Sequence, residues 1–394
     1  MAVEATKHRF RPEPDDARPM SVAPFGLFRL PLLWSALAID ASGWMASTVA
    51  KNLTELATGE IAQETPAPPD WTTDHTVTLE LEAMTLRSFA PPPDASSRPP
   101  GGQATLICTP LASVRPLIAD FAPDHSVVAS LIGAGVPGLS VIDWRSATGE
   151  MRYKSLDSYF CDLNVIVDHL GPPVNLIGLC QGGWMALAYA ARFPDKVAKL
   201  VLVGAPIDLS ARTTRLTTLA ERIPLPVIER LVALNHGIVE GARFLRFWAP
   251  AGINDDFIFR SLQLAADTPQ DARAALAGRF SRWFWSTNDM PGRYFLEVVD
   301  RLLKRNGLAN GQFTVLGVPV DLARVRAPVF LIAAEQDEVV ASEQLFAAER
   351  LIGTPAADIR KIVAPSNHLG LFIGANTNRR IWPDVGRWLT GGGK

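Results

Sequence analysis

Cysteine is scarce in this 394-residue chain, which has three: Cys108, Cys161 and Cys180. An odd, sparse set is no disulfide framework, and without a Cys-x-x-Cys pair it suggests no zinc site. A reducing compartment is expected, where a cysteine can be present for its thiol. A dominant charge sign is missing too. Thirty-eight Lys and Arg stand against 40 Asp and Glu, a net charge of −2, so no basic field gathers nucleic acid or anionic lipid. Long apolar runs are also absent. The most apolar early stretch, Val22–Ala50, is interrupted by Pro24, Arg29, Pro31 and Asp40. It falls short of the roughly 18 uninterrupted apolar residues of a membrane span. The first twenty residues carry both charge signs and no apolar core of a secretory signal, so a cytoplasmic protein is expected. No metal-binding motif and no Walker phosphate loop occurs.

What is present is enough apolar sequence, 48% by the broad count, to bury a large core. Residues 1–75 read as a polar tail followed by a helical segment, with Leu32–Ala50 as its amphipathic part. From Thr76 the pattern becomes that of a sheet. Val77, Leu79 and Leu81 alternate with Thr78, Glu80 and Glu82, the period of a half-buried strand. Leu86–Ala90 reads as a second strand and 90–103 as a Pro-rich loop. Ala104–Cys108, Leu139–Asp143, Val174–Leu179, Leu200–Val203, Pro328–Ala333 and Lys361–Val363 are short apolar runs, as buried parallel strands are. Helical spacing separates them over Leu156–Leu170 and Trp184–Phe193 and closes the chain over Ile381–Leu389. This alternation predicts an α/β fold with a mostly parallel, doubly wound sheet. Strand signals fade from 208 to 324, where helical patterns and aromatics dominate: Phe244, Phe247, Trp248, Phe257, Phe259, Phe280, Trp283, Phe284 and Trp285. Most of these are expected to be core residues of a helical cap inserted over the carboxyl edge of the sheet. The core is then divided into 76–207 and 325–394.

The most informative stretch is Asn175–Trp184, read NLIGLCQGGW. A buried strand ends near Gly178, a cysteine follows two residues later, and two glycines open a helix. This is the form of a nucleophile elbow, with Cys180 in the serine position. Side chains at Gly178 or Gly182 would clash where strand and helix approach, and Gly183 is the third glycine of the elbow. The N-terminus of the helix lies beneath the sulfur. The N–H of Gln181 is placed to donate to an oxyanion, with a second donor near Leu111 or Ala112. Cys108 and Cys161 fall in a strand and a helix and read as inert core thiols.

Elbow proteins of the α/β-hydrolase type bring nucleophile, acid and histidine in that chain order. Two histidines follow Cys180. His236 falls in the insertion, and His368 lies in a loop after a strand and before the last helix, the expected place for the base. Asp337 directly follows the strand Pro328–Ala333 and is the preferred acid. Glu335 and Glu338 compete with it. Together Cys180, His368 and Asp337 suit nucleophilic acyl chemistry.

At these residues the chain resembles the polyhydroxyalkanoate synthases. Gly178–Gly183 (GLCQGG) is similar to their G-x-C-x-G-G box. Arg115–Asp120 (RPLIAD), Ser140–Trp144 (SVIDW), Phe193–Val197 (FPDKV) and Ala205–Asp208 (APID) fit as well. The similarity covers about 105–389. Asn288–Leu296 (NDMPGRYFL), Asn306–Gly311 (NGLANG), Val320–Leu322 and His368–Gly374 also resemble the intracellular polyhydroxyalkanoate depolymerases, relatives with the same Cys-Asp-His arrangement. Those usually carry C-Q-P where this chain has Cys180-Gln181-Gly182. The resemblance implies an α/β-hydrolase fold and acyl-cysteine chemistry on hydroxyacyl-CoA or on polyhydroxyalkanoate polymer. CoA would be a substrate, and no bound cofactor is implied. It leaves two partners open, a storage-granule surface and a second copy of the chain. Three readings follow in order of preference: a synthase-like acyltransferase, a depolymerase, and a non-catalytic granule protein with a vestigial site.

Overall fold

The computed structural model describes residues 66–89, 102–111, 115–248 and 253–391, with backbone alone for 246–248. The tail 1–20, the Leu32–Ala50 segment, residues 90–101 and Ala112 lie outside the described residues.

Eight strands form one sheet: β1 (Thr76–Glu80), β2 (Met84–Ser88), β3 (Thr105–Cys108), β4 (Leu139–Trp144), β5 (Val174–Leu179), β6 (Val197–Val203), β7 (Val329–Gln336) and β8 (Ile359–Asn367). Their order is β1-β2-β4-β3-β5-β6-β7-β8. β2 is antiparallel to both neighbours, and all pairings from β4 across to β8 are parallel. The central strands are apolar on both faces because both faces are covered. Leu106, Ile142, Leu176, Leu200, Leu202 and Leu331 turn to one side. There they meet helices α2 (Leu156–Leu170) and α3 (Gln181–Arg192). Ile107, Val141, Ile177, Val201, Val203 and Ile332 turn to the other. There they meet α1 (Val127–Gly133) and α10 (Ala375–Leu389).

Sequence pattern and structure part in a few places. β1 is an edge strand with Val77 exposed rather than half-buried. The closing helix starts six residues before Ile381. Its first residues, Ala375–Arg380, look loop-like, but Asn378 turns its amide to the carbonyls of Phe372 and Gly374 at 2.7 and 3.0 Å. Cys161 is exposed on α2, so it is not a core thiol. α1 has no counterpart in the expected elements, because seven residues show too little of a helical period.

Between β6 and β7 the chain is mostly helical: α4 (Arg215–Arg222), α5 (Leu225–Leu234), α6 (Gly241–Trp248), α7 (Asp255–Leu262), α8 (Gln270–Trp285) and α9 (Gly292–Glu297), with a π-helical continuation Val298–Lys304. The aromatics of α8 do not face the site. Phe280, Trp283 and Phe284 are buried in a cluster that includes Phe121, which lies 5.5 Å from Trp283 between ring centres. They strut the insertion against the core.

Several motifs that carry the family resemblance serve as struts too. Asp120 is fully buried. It accepts hydrogen bonds from the N–H groups of Thr72 and Thr73, both at 2.8 Å, and from the hydroxyls of Thr73 and Ser126 at 2.9 and 2.6 Å. Asp208, after β6, accepts from Ser210 and from Asn306 at 2.7 Å, and pairs with Arg350. Asn306 in turn accepts from the Leu209 N–H at 3.0 Å. The two stalks of the insertion are thereby tied together. Asn288 donates to the Trp144 carbonyl at 2.8 Å, fixing the same insertion to the end of β4.

Candidate active site

Three strands stop one residue short of a chemically capable side chain. β5 ends at Leu179, β7 at Gln336 and β8 at Asn367; Cys180, Asp337 and His368 follow. All three lie on the carboxyl edge of the sheet.

Cys180 has φ 51° and ψ −117°, a backbone that L-residues rarely adopt. It is held there by its own N–H, which donates to the Val203 carbonyl at 2.8 Å, and by its carbonyl, which accepts from Gly183 at 2.9 Å. The glycines are required by contact. A Cβ on Gly178 would press on the backbone of Gly182 and Gly183. One on Gly182 would strike the carbonyl of Cys108, and one on Gly183 the side chain of Ala205. Cys108 is fully buried beneath the elbow, and burial pushes its thiol up to about 12, so it stays protonated.

Among the carboxylates at the end of β7, Asp337 is the one that reaches the imidazole. Its two oxygens lie 3.0 and 2.8 Å from His368 Nδ1. Its Oδ1 also accepts from the N–H groups of Val339 and Val340 at 2.9 and 2.7 Å. The His368 and Asp337 side chains are 6% and 2% exposed, which keeps water from competing for the pair. Glu335 is exposed, and among the described residues Glu338 meets only the His368 backbone N–H, at 3.4 Å. His236 sits exposed on a turn after α5, away from these groups. Burial opposes a charged His368 ring, but the negative charge of the Asp337 carboxylate and of Cys180 as a thiolate more than offset it, and the pKa is held well above the ordinary histidine value. With Nδ1 taken by Asp337, Nε2 is the ring nitrogen left to exchange a proton with Cys180.

Gly204 escaped the sequence reading. It has φ +54°, and a Cβ there would lie 3.1 Å from His368 Cε1 and 2.9 Å from Leu371. Its only sequence signal is a glycine directly after the strand beside the elbow.

Cys180 opens into a cavity of about 140 Å³. Its floor is Leu111, Cys180, Gln181, Trp184 and Pro206, with Val339 and Val340 beside them. Its roof comes from the insertion: Leu216 and Leu219 of α4, Ile228 of α5, Phe244 of α6, Tyr294 and Phe295 of α9, and Val298, Val299, Leu302 and Leu303 of the π-helix. A roof of this composition excludes water and accepts an apolar chain. The expected oxyanion donors divide: Gln181 and Leu111 line the cavity, and Ala112 lies outside the described residues. Among the described residues no His, Cys, Asp or Glu cluster could hold a metal ion, and no helix is long and apolar enough to cross a membrane.

The strand order, the elbow and the placement of acid and histidine define one class, and the model of the alpha/beta hydrolase fold matches residues 141–375. The chain belongs to that family. Within it, the chain is similar to the poly(3-hydroxyalkanoate) polymerase subunit PhaC of Allochromatium vinosum, 27% identical over 70% of this chain and 77% of the relative. The PhaC subunit of Thiocystis violacea is 26% identical over the same shares. That of Haloarcula marismortui is 24% identical over 94% of this chain and 78% of the relative. Among solved structures, the monoacylglycerol lipase of Paleococcus ferrophilus aligns with a TM-score of 0.47 at 15% identity, covering 78% of this chain and 99% of that one.

Proposed function

We propose that this protein is a polyhydroxyalkanoate synthase-like acyltransferase that works on 3-hydroxyacyl-CoA through an acyl-cysteine. The observation that carries this reading is a thiol, rather than a hydroxyl, on the elbow beside a histidine held at raised pKa. The similarity to proteins named poly(3-hydroxyalkanoate) polymerase supports it.

In this reading His368 Nε2 takes the Cys180 proton, and Asp337 fixes the tautomer and stabilises the imidazolium. The thiolate attacks the thioester carbon. The N–H of Gln181 holds the oxyanion, with a second donor at Leu111. When the intermediate collapses, the carbon–sulfur bond to CoA breaks and CoA leaves with the proton from His368. A hydroxyl of a second hydroxyacyl unit then attacks acyl-Cys180. Its proton passes to His368, an ester forms, and Cys180 leaves as thiolate before regaining its proton. A thiolate is both a good nucleophile and a good leaving group, which suits this exchange between thioester and alcohol. CoA enters as a substrate, and the scheme calls for no bound cofactor.

The depolymerase reading uses the same three residues, with water in place of the alcohol. Its support is the depolymerase-like Asn288–Leu296 segment. Incubation with 3-hydroxybutyryl-CoA, following thiol release and product size together, separates the readings. CoA release with linked esters is the expected result. Release of free 3-hydroxy acid only, together with shortening of amorphous polymer, puts the depolymerase in its place. Iodoacetamide labelling of Cys180 no faster than of a free thiol would point to a vestigial site.

A further inference from the structure

Leu111 and Gln181 line the cavity beside Cys180. Gln181 is the first residue of α3, so its N–H has no partner within the helix. The Leu111 N–H makes no hydrogen bond among the described residues. What aims it lies two residues back. The chain leaves β3 at Cys108 and reaches Leu111 through Thr109 and Pro110. Thr109 is fully buried and is held twice by β4. Its carbonyl accepts from Trp144 Nε1 at 2.9 Å, and its hydroxyl donates to the Ile142 carbonyl at 2.8 Å. The same Thr109 carbonyl faces the first turn of α3, where a Cβ on Gly182 would lie 2.9 Å from it. Trp144 is itself fixed. It is 1% exposed, its ring meets Tyr159 edge-on with centres 5.7 Å apart, and its carbonyl accepts from Asn288.

From the anchored carbonyl to the Leu111 N–H the backbone has one soft torsion. The Thr109–Pro110 peptide is planar, the proline ring locks φ, and the Pro110–Leu111 peptide is planar again. Only ψ of Pro110 is left to aim the N–H. Without the indole N–H, the Thr109 carbonyl would be a buried acceptor lacking its partner, a loss of about 1–3 kcal/mol that a tilt of its peptide plane relieves. That tilt carries Leu111 with it. We propose that Trp144 and Thr109 are positioning residues that aim the Leu111 N–H at the oxyanion formed when Cys180 attacks. The proposal rests on the acyl-cysteine reading. It adds that β4, which carries none of the three catalytic groups, sets the second half of the oxyanion hole.

The test compares two reactions of Cys180 in the full-length protein. Acylation by p-nitrophenyl butyrate, read as release of p-nitrophenol, passes through an oxyanion. Alkylation by iodoacetamide, read as the mass of the Cys180 peptide, needs the thiolate but forms no oxyanion, because iodide leaves a saturated carbon. Trp144→Phe keeps a ring and removes the N–H; Thr109→Val removes the hydroxyl. Each should lower kcat for acylation by about tenfold or more, with KM and the alkylation rate near their wild-type values. Thr109→Ser should restore the rate that Thr109→Val loses. Thr109→Val carries the test alone if Trp144→Phe does not fold. Acylation and alkylation that fall together overturn the proposal, since the two residues would then only support the elbow. Unchanged acylation overturns it as well. A wild type that takes the p-nitrophenyl ester but not 3-hydroxybutyryl-CoA overturns the synthase reading, while the ester still decides the roles of Trp144 and Thr109. Acylation of wild type by neither reagent overturns both proposals.

Discussion

Replacing Asp337 by asparagine tests the proposed triad at its most constrained point. The carboxylate does two jobs. Oδ1 accepts from the Val339 and Val340 N–H groups, and Oδ2 lies 2.8 Å from His368 Nδ1. An asparagine must keep its oxygen on the two backbone donors, because turning its NH₂ there would set donor against donor. The NH₂ then faces His368 and donates to Nδ1. That forces the proton onto Nε2, the nitrogen that must receive the Cys180 proton. The fold survives, since size and both backbone hydrogen bonds are kept, but the base is in the wrong tautomer. Loss of the correct tautomer in a triad costs roughly 10³–10⁴-fold in rate, or about 4–5.5 kcal/mol of transition-state stabilisation. CoA release from 3-hydroxybutyryl-CoA measures the rate, and circular dichroism with thermal melting checks the fold. A folded variant within tenfold of wild type would refute the reasoning. Glu338 cannot rescue it, because it faces the His368 backbone N–H rather than the ring.

The same variant has a signature in stability against pH. The folded-state pKa of His368 is raised above its unfolded value by Asp337 and Cys180, despite the opposing effect of burial. Its stabilisation is therefore fully present below the unfolded value, about 6.5, and is lost as pH rises through the folded value. The neutral amide would no longer supply the negative charge. The Tm gap between wild type and Asp337→Asn should be largest below about pH 6.5 and narrow as pH rises through the raised folded-state value; a gap that widens with pH would contradict the assigned pair.

Further expectations follow from the same geometry. Cys180→Ala should abolish turnover with the fold intact; activity above a few per cent would remove Cys180 as nucleophile. Cys180→Gly should be inactive yet more stable by about 1 kcal/mol, the relieved strain at φ 51° exceeding the entropy cost of glycine; denaturant titration reads the sign. Gly182→Ala should destabilise by about 3 kcal/mol or more, since its Cβ meets the backbone of Cys108 and Thr109, which cannot move without unseating β3. Asp120→Ala should cost about 4 kcal/mol by stranding the Thr72, Thr73 and Ser126 donors; a loss under 1 kcal/mol would mean that those donors find other partners.

Much of this arrangement was legible in the sequence because it rests on short-range signals. The run Val174–Leu179 is apolar on both faces, and the glycines around Cys180 mark the close approach of strand and helix. Position in the chain pointed to Asp337 and His368, since both directly follow a strand. What remained hidden depends on contacts between distant segments. The choice of Asp337 over Glu335 and Glu338 turns on which carboxylate faces the ring. The role of Gly204 appears only when β6 lies beside β8's loop across β7. The aromatic run of α8 pointed towards a cap over Cys180, yet it packs with Phe121, and aliphatic residues of α4 and the π-helix supply most of the roof. Composition could not distinguish these, because both are apolar helix faces.

The meeting of Asp337 with His368 depends on an irregularity in the sheet. β7 and β8 pair in simple register from Val329 opposite Ile359 to Ala334 opposite Ala364. Two residues later on β7, Gln336 stands opposite Asn367, three residues later on β8. The extra residue makes Asp337 and His368 the next positions on their two strands. In unbroken register Asp337 would follow a Gln336–Ser366 pair and face Asn367, an amide that cannot serve as a base. Pro365 lies inside this bulge. It has no N–H to give to a ladder, which a bulge on an edge strand tolerates and a regular central strand does not. β8 is that edge strand. The flaw in its ladder thus falls where the sheet loses least by it, and it brings the histidine level with its carboxylate.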